Sequence, residues 1–289
     1  MSDIKLFNND EKATWCVGCG DFGILASVQW AFANLDLLPT DVLLVSGIGC
    51  GSKLPYYMKA NGYDSLHGRA LPVATGAKLA NHDLRVVVFS GDGDGYGIGG
   101  NHFMHTMRRN PDLTHIVENN QVYGLTKGQY SPTSQKGFLS TTSPEGAIEV
   151  QVNPIALAMA GGASFVSRGF ANDPRHLREL IVKAINHKGY SLIDILQPCI
   201  TYNKVNTGAW YKERVYKLDD DPSYNAGDFD AAWDKAKEWG DRIPIGVIFQ
   251  DDSRPTYEEQ VSQLRDGPLC RKSVEQPIDL LEAIKLEFV

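Results

Sequence analysis

The run RVVVFS (residues 85–90) passes without a break into GDGDGYGIGG (residues 91–100), and few folds accept that join. A short valine-rich run suits a strand buried on both faces. A glycine-rich turn directly after it sets free backbone N–H groups at the strand's carboxyl end, where parallel α/β sheets bind ligands. Runs of the same kind occur at residues 42–46 (VLLVS), 114–117 (THIV), 192–196 (LIDIL) and 245–249 (IGVIF). Between them, residues 21–35, 69–81 and 174–186 carry apolar side chains at helical spacing. Asp173 followed by Pro174 reads as the N-cap and first position of the last helix. The expected class is therefore α/β, a mostly parallel sheet with helices on both faces.

Residues 123–149 are rich in Gly, Ser, Thr and Pro without periodicity and read as a long ordered loop, a common place for function in such domains. After Gln197-Pro198-Cys199 the composition shifts to Trp, Tyr and paired charges. We expect one unit over residues 1–200 and an extension, 201–289, packed on that core or on a partner. The formal net charge of −7 works against nucleic acid or an anionic membrane as partner. There is no apolar run long enough to span a bilayer, and MSDIKLFNNDEK lacks the apolar stretch of a secretory signal, so the expected location is cytoplasmic.

Two phosphate-binding readings compete at residues 91–100. Gly95-x-Gly97-x-x-Gly100 matches a dinucleotide fingerprint, with Glu118 placed for a ribose hydroxyl. Against it, Asp92 and Asp94 would face the pyrophosphate. A carboxylate beside a diphosphate makes sense when a cation lies between them, and Mg²⁺ is commonly held by one or two carboxylates together with phosphate oxygens. The next strand ends in Asn119-Asn120-Gln121-Val122. If the two strands are neighbours, the Asp92 carboxylate, the Asn120 amide oxygen and the Val122 carbonyl can share one ion.

GDG followed by NN at this distance resembles the thiamine diphosphate motif of thiamin-dependent enzymes. NNQVYGLTKGQ (residues 119–129), IGCGSKLP (residues 48–55) and LHGRALPVATG (residues 66–76) are similar to the β subunit of 2-oxoacid:ferredoxin oxidoreductases, over roughly residues 12–210. The short chain without an internal ferredoxin-like cysteine run looks most like the two-subunit 2-oxoglutarate type. The resemblance implies the thiamine diphosphate-binding fold, with Mg²⁺ on Asp92, Asn120 and Val122. It places Ile48, Gly49, Cys50, His67, Gly91, Gly93, Gly124 and Leu125 with those three around the cofactor. His67 corresponds to the residue that reaches the diphosphate, Leu125 packs near the thiazolium, and Lys53 and Lys127 match positions that meet a substrate carboxylate.

The same resemblance gives four of the five cysteines a role. It implies a [4Fe–4S] cluster on Cys16, Cys19, Cys50 and Cys199, with Cys270 an ordinary thiol. Its activity would be the coenzyme A-dependent oxidative decarboxylation of a 2-oxoacid, 2-oxoglutarate or else pyruvate, with electrons passed to ferredoxin. The family's activating glutamate lies on a separate pyrimidine-binding subunit, so an α subunit is expected, in an αβ pair that dimerises, and the isolated chain should be inactive. The alternatives are a non-redox thiamine diphosphate-dependent decarboxylase subunit, a thioredoxin-like dithiol at Cys16 and Cys19, or a dinucleotide-binding protein. His102, His105 and His115 belong to no motif and are read as structural or exposed.

Overall fold

The valine-rich runs form the middle of a sheet. In the computed structural model, which describes residues 3–288 apart from 274 and 276, they are β1 (Val42–Ser46), β3 (Arg85–Gly91), β4 (Leu113–Asn119) and β8 (Tyr190–Leu196). Four further strands, β2 (Asn61–Asp64), β7 (Phe165–Phe170), β9 (Val215–Lys217) and β10 (Ile243–Gln250), complete the order β2-β1-β3-β4-β8-β7-β10-β9. The described pairs are parallel except β7 with β10. A short hairpin of β5 (Val122–Tyr123) and β6 (Gln129–Tyr130) stands apart.

Strand β7 gives no apolar alternation to read, because FVSRGF carries Arg168 in its middle. The register sets Arg168 opposite Asp194 of β8, and both are buried to about 1% exposure with Arg168 Nε 3.8 Å from Asp194 Oδ2. Cross-strand charge pairing lets this polar residue sit in a central strand, a compensation visible only in three dimensions.

Helices cover both faces. On one lie α1 (Asp21–Asn34) and α5 (Pro174–Asn186), packed against each other over Phe89, Ile116 and Ile193. On the other lie α2 (Ala70–Ala80), α3 (Gly100–Arg109) and α4 (Pro154–Ala160), over Val86, Val88 and Val117. Alternate residues of β3 thus point into two separate cores, which explains its unbroken apolar run. The Asp173 carboxylate accepts from the His176 N–H, with Pro174 at the first helical position, as the sequence predicts. Beyond residue 200, β9 and β10 continue the sheet at its far edge. Glu258 accepts from the backbone N–H of Asp112 at 3.1 Å, tying the segment after β10 back to the core. Among the described residues no helix is long and apolar enough to cross a membrane.

Candidate functional site

Strands β1, β3, β4 and β8 lie side by side and parallel, so the loops leaving their carboxyl ends share one rim. This is where open α/β sheets gather ligands.

A cleft opens there, above the carboxyl ends of β1, β3 and β4. Ile48, Gly49 and Cys50 line it from the β1 loop and His67 from the loop before α2; Gly91, Asp92 and Gly93 come from the end of β3. Asn120, Val122, Gly124 and Leu125 contribute from beyond β4. All eleven residues that the resemblance places around the cofactor therefore meet in one cavity. Gly51, Asp94, Tyr123 and Thr126 line it as well. Lys53 and Lys127 do not. Lys53 Nζ lies 3.4 Å from Thr14 Oγ1, and Lys127 stands exposed on the hairpin turn.

The Asp92 carboxylate is 1% exposed, and burial pushes its pKa up to about 6, the nearby hydroxyl groups acting in the opposite sense. Both hydroxyls, Ser131 Oγ and Thr133 Oγ1, donate to the same atom, Oδ2. A buried carboxylate with one oxygen left over and no cationic partner suits a divalent ion. Asn120 sits at the head of a tight turn: its Oδ1 accepts from the Val122 N–H at 3.1 Å, and Gln121 adopts a left-handed φ of 60° between them. That turn brings the Asn120 side chain and Val122 to the same wall of the cleft. The Tyr123 ring fills the space that a side chain at Gly93 would need, since a Cβ there would stand 2.1 Å from it.

Asp94 lines the cleft and also ties loops together. Its Oδ1 accepts from the Ile48 N–H (3.0 Å) and the Gly68 N–H (2.7 Å) and contacts His67 Nδ1 at 2.7 Å. One carboxylate thereby fastens the β1 loop and the His67 loop to the glycine-rich turn, and His67 is left with its other ring nitrogen for a ligand.

The cysteines meet on the same rim. Cys16 Sγ accepts from Thr201 Oγ1 at 3.2 Å and Cys19 Sγ from Gln197 Nε2 at 3.0 Å, the residues two on either side of Cys199. Cys50 lines the cleft, is held by a hydrogen bond from Trp15 Nε1 to its carbonyl, and feels the Cys199 thiol electrostatically. Burial pushes Cys50 up to about 11 and Cys19 higher still, so both are thiols unless iron replaces the proton. Among the described residues no three His, Cys, Asp or Glu side chains close on a point that one ion could fill. A [4Fe–4S] cube takes one thiolate per iron. Cys270 is exposed and remote in sequence from this rim.

Behind the cysteines lies a feature that sequence reading missed. Asp21 and Glu118 are each 1% exposed, and their carboxyl oxygens have no ordinary hydrogen-bond partner. Burial and the neighbouring Asp21 push Glu118 well above the usual carboxylate range, and burial also raises Asp21. Glu118 packs under Gly51, where a Cβ would come within 2.4 Å of Oε2, and does not line the cleft. It cannot hold a ribose there, which removes the acid the dinucleotide reading requires. Nor does a strand lead into Cys16, as a thioredoxin dithiol would need. His115, read as structural or exposed, is fully buried, with Ser90 Oγ 2.7 Å from Nε2 and Tyr190 Oη 2.8 Å from Nδ1.

Comparison with known proteins agrees with this geometry. Residues 47–195 match the family model of the thiamine pyrophosphate enzyme C-terminal TPP binding domain, and residues 199–266 match the C-terminal family model of the pyruvate ferredoxin oxidoreductase beta subunit. The chain is 50% identical to the 2-oxoacid:ferredoxin oxidoreductase 1 subunit beta of Aeropyrum pernix, over 90% of this chain and 85% of that protein. It is also 50% identical to the 2-oxoacid:ferredoxin oxidoreductase subunit beta of Saccharolobus solfataricus, over 91% and 88%. In fold it resembles the 2-oxoglutarate:ferredoxin oxidoreductase of Magnetococcus marinus, solved with 2-oxoglutarate, coenzyme A and succinyl-CoA bound. The TM-score is 0.91 at 37% identity, covering 98% of this chain and 96% of that one.

Proposed function

Since the chain belongs to the β subunits of the 2-oxoacid:ferredoxin oxidoreductases, we propose that it holds thiamine diphosphate, Mg²⁺ and one [4Fe–4S] cluster and acts, with an α subunit, on 2-oxoglutarate. The observation that carries this reading is the meeting of the eleven expected cofactor residues in one cleft with Cys50 on its wall. When bound, thiamine diphosphate supplies the electron sink for decarboxylating a 2-oxoacid.

This chain's own residues do the holding. Asp92, the Asn120 amide and the Val122 carbonyl offer oxygens to Mg²⁺, and His67, fixed at Nδ1 by Asp94, turns its free nitrogen toward a diphosphate oxygen. Leu125, 46% exposed at the mouth, offers an apolar surface to the ring end of the cofactor. Cys16, Cys19, Cys50 and Cys199 would ligate the cluster, and Cys50's place in both the cleft wall and the cysteine group makes the path from substrate electrons to iron short. Lys53 and Lys127 stand outside the cleft, so a part for them in meeting the distal carboxylate requires the substrate to approach over the rim. 2-Oxoglutarate is preferred to pyruvate because the chain shares its whole fold with a protein solved with 2-oxoglutarate bound. Coenzyme A would take the acyl group and ferredoxin the electrons.

The test is to co-express this chain with its α subunit, purify anaerobically, and follow ferredoxin reduction with 2-oxoglutarate or pyruvate, with and without coenzyme A. The expected result is a brown, iron-containing complex whose reduction of ferredoxin depends on coenzyme A and is faster with 2-oxoglutarate, the isolated chain being inactive. A colourless, iron-free complex that still decarboxylates would establish the non-redox alternative instead.

A further inference from the structure

The hydrogen bonds around Asp92 come from a part of the chain that no cofactor motif includes. Ser131 and Thr133 follow β6, within the Ser/Thr-rich loop, and both are buried to 3% exposure or less. Thr133 Oγ1 lies 2.5 Å from Asp92 Oδ2 and 2.9 Å from Asn119 Oδ1. The hydroxyl has one proton, and the carboxylate is the stronger acceptor. Asn119 in turn donates from Nδ2 to Asp194 Oδ1 at 3.0 Å, and Tyr96 Oη donates to the same oxygen at 2.9 Å. Ser134 Oγ donates to the Gln121 carbonyl, inside the turn between Asn120 and Val122. One four-residue stretch thus grips both halves of the proposed cation site.

We propose that Thr133 is a positioning residue for Mg²⁺: its hydroxyl engages Oδ2 of Asp92, sets the carboxylate's rotation, and leaves Oδ1 for the ion. Resting on the cofactor site argued above, it adds a determinant of metal affinity outside the GDG and NN segments. A carboxylate free to rotate would have to be ordered when the ion arrives, and one held by a hydroxyl is ordered in advance. Because Thr133 does not line the cleft, its removal should weaken the metal site without altering the shape of the cleft.

The experiment measures thiamine diphosphate uptake by the purified αβ complex as Mg²⁺ is titrated, together with thermal unfolding of each variant. Thr133→Val, which keeps the shape and removes the hydroxyl, should raise the Mg²⁺ concentration for half-maximal uptake by about tenfold or more, with uptake restored at high Mg²⁺. Thr133→Ser, which keeps the hydroxyl, should stay within about twofold of the wild type, a rescue that a packing role would not produce. The proposal is overturned if Thr133→Val shows the wild-type Mg²⁺ requirement, or if Thr133→Ser is impaired as much as Thr133→Val. If Thr133→Val does not fold, Thr133→Ala replaces it, and an unchanged Mg²⁺ requirement there is equally fatal. A wild-type complex that takes up no thiamine diphosphate at any Mg²⁺ concentration would instead remove the cofactor reading itself.

Discussion

Two buried acidic sites lie on the same rim and are treated differently. At Asp92 the carboxylate is met by two hydroxyls on one oxygen and is left open on the other. At Asp21 and Glu118 two carboxyls are buried against each other, with the Cys19 thiol and Gly51 as neighbours and, among the described residues, no hydroxyl donating to them. The first arrangement suits a charged carboxylate awaiting a cation. In the second, burial pushes both carboxyls above their usual range, and for Glu118 the neighbouring Asp21 adds to it.

The contrast can be broken most severely at its ionised half. Asp92→Ala should lower thiamine diphosphate retention by more than about 100-fold, beyond the usual range of an outer-shell change, measured by cofactor content after desalting. Next, Cys50→Ala should abolish the iron content and visible absorbance of the anaerobic complex while the Mg²⁺ requirement for cofactor uptake stays within severalfold of the wild type. Loss of both together would show that the two cradles are one unit.

Smaller effects test the other half and the floor beneath the cation site. Gly51→Ala would set a methyl against Glu118 and should destabilise the chain by about 1–3 kcal/mol in urea unfolding, the usual cost of overpacking. His115, buried between Ser90 and Tyr190, is pushed down to about 3 by burial, from 6.5. The folded chain keeps this imidazole neutral as pH falls, while the unfolded chain takes up a proton below 6.5. Its contribution to stability is therefore complete above pH 6.5 and lost at up to about 1.4 kcal/mol per pH unit between 6.5 and 3. His115→Asn should flatten that part of the stability profile, read from urea midpoints between pH 7 and 4.

The sequence made the central strands and the cleft legible because both write themselves locally. Each of β1, β3, β4 and β8 contains a short, mostly apolar run, and the ligand loops follow directly in sequence, so the residue after a strand is also the residue on the rim. Features assembled from distant segments escaped. Strand β7 was hidden by Arg168, whose partner Asp194 comes from another strand. The fastening role of Asp94 was hidden because its three partners belong to loops 26 to 46 residues away. The loop over residues 123–149 could be marked as functional from its composition, but nothing in SPTS (residues 131–134) says that two of its hydroxyls turn inward onto Asp92.

By itself the sequence determined a mostly parallel α/β sheet, a glycine-rich turn after β3 and a polar Asn-Asn turn after β4. Each of these depends on local periodicity or on neighbours in the chain. Only the tertiary structure decided that Asp92 meets two hydroxyls on one oxygen and that Asp21 and Glu118 are buried side by side. Those outcomes depend on burial and hydrogen bonding between residues remote in sequence, and they exist only once the strands stand side by side.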